Sequence, residues 1–199
     1  MKVMDGAAAE IANEDNTAVR VSIARPHAFA VLFDRHYDAI WRYLCRRVGP
    51  TGADDLAGEA FLRAFTKRAD YEPSPLGARP WLYGIATNLL REQIRREHRQ
   101  MRAYARVVQP LVESTVFEEV DGRLDAALLR PAVIAALSQL DPVDRDALML
   151  LALTELGYEG IAAATGAPIG TVRSRLNRAR RLVRAELKLN SEQQRSDCT

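Results

Sequence analysis

One short run of this 199-residue chain, "TVRSRLNRARR" from Thr171 to Arg181, concentrates the side chains that recognise nucleic acid. Guanidinium groups grip phosphates and the O6/N7 edge of guanine, asparagine pairs with adenine, and hydroxyls serve either. At about 100° per residue, Ser174, Asn177, Arg178 and Arg181 share one helix face, flanked by Arg173 and Arg184. Ile169, Val172, Leu176, Ala179, Val183 and Leu187 form an apolar stripe opposite. Like charges at helical spacing repel by a few tenths of a kcal/mol per pair, roughly, so an external polyanion is expected to offset them. Thr171, Arg173, Ser174, Asn177, Arg178 and Arg181 are the predicted duplex-DNA contacts; a solvated basic face is the plainer reading of such a helix alone.

Carboxylates offer a different chemistry. Asp54, Asp55 and Glu59 could be imagined as a metal cluster for phosphoester cleavage. No histidine supports it, because His27, His36 and His98 are scattered, and no Gly-rich phosphate loop is present. No enzyme, metal or cofactor is therefore expected. Asp55, Glu59 and Arg63 instead lie at i, i+4, i+8 beside Leu56, while Ala57, Phe61, Ala64 and Phe65 turn inward. A leucine among exposed charges suggests a protein-binding strip, against the alternative of a solvated ion pair with an incidental leucine. Asn88, Arg91 and Arg95 make a further polar row behind Trp81, Leu82, Ile85 and Leu89, which read as core.

Helices must position all of these. Gly166, Ala167 and Pro168 separate a helix over about 158–165 from one over 169–189, and a short Gly-containing turn between two helices is the helix-turn-helix signature. Upstream, Asp141-Pro142 reads as a capped helix start, after a helix over about 125–140 that contains Pro131. Pro26 fits a first helical turn, "GPTG" at 49–52 ends that run, a second helix covers about 54–67, and a third runs over about 80–102 after the Pro/Gly loop "YEPSPLGARP". Residues 104–123 break the period and carry Glu113, Glu118, Glu119 and Asp121, as an interdomain linker would. Residues 1–25 are small, polar and aperiodic and read as a disordered tail, and 190–199 read as a polar C-terminal tail. The class is all-α, two small helical domains over 26–103 and 124–189 joined by a flexible linker.

Bulk composition is less telling. The net charge is only +2, so charge distribution rather than total charge points to DNA. Cys45 and Cys198 make neither a disulfide framework nor a zinc site, and Cys45 reads as a small buried hydrophobe. No stretch approaches the ~20 apolar residues of a membrane span, and no signal-peptide core is present, so a cytoplasmic location without membrane insertion is expected.

The motif "GYEGIAAATGAPIGTVRSRLNRARRLVRAEL" closely resembles the C-terminal DNA-binding region of extracytoplasmic-function (ECF) sigma factors, the group IV members of the sigma-70 family. "FDRHYDAIWRYLCRRVG", "ADDLAGEAFLRAF" and "RPWLYGIATNLLREQIRREHR" resemble that family's N-terminal core domain in order and spacing. The resemblance implies an alternative RNA polymerase sigma factor. Its partners would be core polymerase (the β′ clamp helices and the β flap), promoter DNA and a cognate anti-sigma factor. The C-terminal helix would then read the −35 element. Asp55, Leu56, Glu59 and Arg63 would dock on the clamp helices. Arg79, Trp81, Asn88, Arg91 and Arg95 would hold the melted −10 strand, with one extruded base kept in the loop at 71–79. Gly160 stands where the family often has an acidic residue, and Asp141-Pro142 replaces a more usual Leu-Pro. A stand-alone helix-turn-helix regulator is the alternative reading.

Overall fold

Proline and glycine punctuate the chain where the sequence places them. The structure is a computed structural model that describes residues 2–105 and 133–196. The chain divides into two compact units, Met1–Glu118 and Glu119–Thr199. Every regular element among the described residues is helical. The expected linker acids Glu113, Glu118, Glu119 and Asp121, and the first part of the helix expected over 125–140, lie outside the described residues.

In the first unit, helix α1 spans Lys2–Ala24. This corrects the expectation of a disordered N-terminal tail. Its buried positions, Ala12, Asp15, Ala18, Val19 and Ser22, recur at helical spacing but are mostly small or polar. That composition hid the period. Pro26 opens a 3₁₀ turn, Pro26–Phe29, that leads into α2, Ala30–Thr66. Within α2 the backbone leaves helical geometry at Gly49 (φ 79°, ψ 169°) and Pro50 starts a helix again, so two helices meet at a kink where the sequence places the stop. Positive φ favours glycine here, and proline fits the first turn that follows.

Helix α3 covers Arg79–Ala105 and packs against α2. Leu32, Ile40, Tyr43, Leu44, Leu82, Tyr83 and Leu90 are nearly or fully buried and fill the core. Tyr43 and Tyr83 meet edge to face at 5.4 Å, and the Tyr43 hydroxyl is hydrogen-bonded to Thr87 Oγ1 at 3.0 Å. Arg47 Nη1 donates to the Tyr43 oxygen at 3.1 Å, so this buried cation lies in a polar network rather than unsolvated. Cys45 is half-buried, more exposed than expected.

The second unit begins, among the described residues, with a helical segment over 133–138. It continues with α4 (Pro142–Leu153), α5 (Tyr158–Thr165) and α6 (Ile169–Ser196). Proline opens α4 as expected, but the Asp141 side chain makes no capping hydrogen bond. Arg145 serves that junction instead, donating to the carbonyls of Leu137, Ser138 and Leu140 at 2.7, 2.9 and 3.1 Å. Gly160 is buried with Leu156 against it, and a Cβ there would lie 3.0 Å from Leu156 Cδ2. Helix α6 continues through Ser196, which corrects the tail expected from residue 190.

Candidate nucleic-acid interface

Gly166 ends α5 in the left-handed conformation (φ 62°, ψ 26°), and the Ala167 N–H donates to the Ala162 carbonyl at 3.1 Å. This is a glycine C-cap of the Schellman type, with Pro168 then launching α6. The turn fixes how α6 leaves α5. Val172, Leu176 and Ala179 are completely buried, which turns Arg173, Ser174, Asn177 and Arg181 to the outside. Thr171 is half-buried, and its carbonyl accepts the Ser174 hydroxyl at 2.9 Å.

Arg178 behaves differently from its neighbours. Its guanidinium engages both carboxylate oxygens of Asp144 on α4, with Nη2 to Oδ1 at 2.7 Å and Nε to Oδ2 as the second contact. Asp144 is 1% exposed, so Arg178 is the partner that makes this buried carboxylate tolerable. The hydrogen bond and charge of Asp144 raise the Arg178 pKa above its ordinary value. Arg178, expected to contact DNA, thus directs Nε and Nη2 to the packing of α6 on α4 while its side chain stays 48% exposed. Arg180 donates to the Tyr158 hydroxyl on α5 at 3.4 Å, a weaker tie of the same kind.

In the first unit the acidic strip is only partly as expected. Leu56 is 6% exposed and belongs to the core, which corrects its assignment to a protein-binding surface. The buried arc is Ala53, Leu56, Ala57, Ala60, Phe61 and Ala64, an i, i+3, i+4, i+7 pattern built largely from alanine. Leu62, at 60% exposure, is the leucine that stands in solvent beside Asp55 and Glu59. Arg63 joins Glu59 at 2.9 Å and Glu92 of α3 at 2.8 Å, so it staples the two helices at the surface. Asp54 accepts the Trp41 indole N–H at 2.6 Å, a structural use of one carboxylate from the imagined metal cluster.

Asn88 and Arg95 are exposed on α3, and Arg91 is half-buried between them, so the expected polar row is present. Trp81 is half-buried and its ring meets Tyr71 at 4.8 Å. Arg79 is half-buried at the start of α3. The loop that precedes it turns outward Glu72, Pro73, Pro75 and Leu76.

Known proteins match this arrangement at both units. The model of Sigma-70 region 2 matches residues 32–100, and that of Sigma-70, region 4 matches residues 130–183. The ECF RNA polymerase sigma factor SigE of Mycolicibacterium smegmatis is 36% identical over 81% of this chain, which spans 62% of that protein. The ECF RNA polymerase sigma factor SigC of Mycobacterium tuberculosis is 31% identical over 84% of this chain and 89% of its own length. Among solved structures, the sigma factor RpoE in complex with the anti-sigma factor NepR from Bartonella quintana superposes with a TM-score of 0.60 at 26% identity. It covers 80% of this chain and 96% of its own.

Proposed function

This chain belongs to the extracytoplasmic-function sigma factors of the sigma-70 family, and from that premise we propose how its two units divide promoter recognition. It is a non-enzymatic initiation factor that works in the cytoplasm, where it joins core polymerase to promoter DNA. The second unit reads the −35 element as duplex through Thr171, Arg173, Ser174, Asn177 and Arg181. Its recognition helix presents these residues near its N-terminal end, as base-reading helices of this motif do. The first unit docks on the β′ clamp helices through Asp55, Glu59, Arg63 and Leu62, and the second meets the β flap. Asn88, Arg91, Arg95 and Trp81, with Arg79 at the helix start, hold the separated −10 strand. Asparagine can donate and accept at a base edge, and arginine can neutralise the adjacent phosphate or stack on a base.

The observation that carries this reading is one chain holding both a recognition helix set by a glycine-capped turn and a separate unit that matches region 2 over residues 32–100. A stand-alone regulator has no need of the second. An anti-sigma factor is a further expected partner, as RpoE of Bartonella quintana has in its complex with NepR. Run-off transcription with purified core polymerase tests the proposal: the chain should confer promoter-specific initiation on core. Duplex binding without initiation would point to the stand-alone regulator instead.

A further inference from the structure

Helix α1 grips the loop that precedes α3. The Asn16 side-chain amide makes a two-sided contact with Ser74: Nδ2 donates to the Ser74 carbonyl at 2.9 Å, and Oδ1 accepts the Ser74 N–H at 3.3 Å. The same Oδ1 accepts the Tyr71 hydroxyl at 2.6 Å. Next to it, Asp15 Oδ2 accepts the Ala78 N–H at 3.4 Å, and Gly77 lies so close to α1 that a Cβ on it would be 2.8 Å from Ala12 Cα. Gly77 also has φ 67°, a second reason for glycine there. The loop therefore faces α1 at Tyr71, Ser74, Gly77 and Ala78 and faces outward at the residues between them. Pro73 and Pro75 restrict φ on either side of the Ser74 anchor.

Asp15 is itself fixed. Its Oδ2 accepts the His36 Nε2–H at 2.7 Å and its Oδ1 accepts Arg35 Nη1 at 2.6 Å, so α1 is tied to α2 and to the loop through one buried carboxylate. The other end of the arrangement reaches the proposed −10 surface, because Tyr71 packs on Trp81.

We propose that α1 is the element that positions the loop at 71–79 for the extruded −10 base, with Asn16 as its central positioning residue. This rests on the reading of the first unit as the strand-separating domain. Asn16 touches no DNA; it acts through Ser74 and Tyr71. By holding the loop in one shape before DNA arrives, it removes part of the ordering cost of capturing a base and limits which base fits. The first 24 residues, which lie outside the stretch matched by the region 2 model, thereby become a determinant of promoter choice.

The test uses holoenzyme assembled from the full chain and core polymerase, transcribing a promoter library randomised separately in the −10 and −35 elements. Transcript sequencing gives base preferences, and binding of a labelled single-stranded −10 oligonucleotide selected from that library gives affinity. Asn16→Ala removes both contacts to Ser74 and the acceptor of the Tyr71 hydroxyl, and Tyr71→Phe removes only the hydroxyl while keeping the ring on Trp81. For Asn16→Ala the affinity should fall about tenfold, a part of what its three hydrogen bonds contribute to ordering the loop. The −10 preference should flatten, with −35 preference and core affinity kept and the melting temperature lowered by only a few degrees. Tyr71→Phe should move the same readouts less. Unchanged −10 preference in Asn16→Ala would overturn the proposal. So would a parallel loss of core binding and melting temperature in both variants, because Asn16 would then merely hold the domain together. If the wild-type chain initiates nothing from the library, it is the sigma reading that fails, and the loop assignment with it.

Discussion

Leu56 separates two accounts of the polymerase-facing surface. As an exposed contact it would tolerate a charge; at 6% exposure it cannot. Truncating a buried leucine to alanine costs about 2–5 kcal/mol, depending on how well the site collapses. In a domain of this size each kcal/mol lowers the melting temperature by about 4 °C or more, so Leu56→Ala should lower it by roughly 10–20 °C. Leu56→Glu adds the burial of a carboxylate beside Ala53, Ala57 and Ala60, all of which are buried. The summed cost is comparable to the whole stability of a typical domain, about 5–15 kcal/mol, so this variant should be unfolded at assay temperature.

Leu62→Glu with Glu59→Lys makes the comparison. Leu62 is 60% exposed, and the Glu59–Arg63 pair is a surface contact worth at most about 1 kcal/mol. The double variant should melt within a few degrees of wild type yet bind core polymerase much more weakly, by circular dichroism melts and by co-elution with core. A Leu56→Glu protein that melts like wild type would refute the burial argument. A stable Leu62→Glu/Glu59→Lys protein with unchanged core affinity would remove this strip from the interface.

Arg178→Ala should lower the melting temperature of the second unit while leaving the salt dependence of duplex binding unchanged, because its guanidinium is held by Asp144. Arg173→Ala with Arg181→Ala should keep the melting temperature and reduce the slope of log affinity against log salt by about 0.9 per lost phosphate contact, measured by fluorescence anisotropy on −35 duplex. Asn88→Ala with Arg91→Ala should spare duplex binding but suppress permanganate reactivity of the −10 thymines, with partial recovery on a template pre-opened by mismatches. Burial works to raise the Asp15 pKa, but the hydrogen bond and charge of His36, then of Arg35, outweigh it and hold the carboxyl below its ordinary value. Its stabilising share is therefore complete above the ordinary aspartate range near about pH 4 and is lost as pH falls below it, so Asp15→Asn should flatten the acid limb of a stability–pH profile. Burial, and then the Asp15 charge, push the Tyr71 phenol up to about 12, so it stays a donor to Asn16 throughout; a 295 nm titration should lose one late-titrating tyrosine in Tyr71→Phe.

The parts of this chain that were legible in its sequence are those where large apolar side chains mark the period. Val172 and Leu176 set the buried face of α6, and Gly166 and Pro168 fix its start, so the helix-turn-helix could be located to the residue. Where alanine does the burying, the period fades. Helix α1 hides Ala12, Asp15, Ala18, Val19 and Ser22, and on α2 the alanines at 53, 57, 60 and 64 share a face with Leu56. A hydrophobicity pattern weights these residues weakly, although close helix approach favours small side chains. The Asn16–Ser74 contact is beyond any local pattern, because its partners are 58 positions apart.

The crowded charge of α6 has an internal answer as well as an external one. Arg178 is compensated by Asp144, a residue 34 positions away that no reading along the helix would connect to it. Asn177 interrupts the exposed face between Arg173 and Arg181, which are separated by about 12 Å of helical rise, more than the roughly 8 Å Debye length at physiological salt. Those two arginines therefore repel each other little even without DNA. The repulsion that remains is concentrated at Arg180, Arg181 and Arg184, one turn further along. A DNA backbone passing that turn would relieve it, whereas the uncharged Ser174 and Asn177 would be left to read bases. Substituting Arg184 should accordingly weaken binding to all duplexes alike, and substituting Asn177 should change which sequence is preferred.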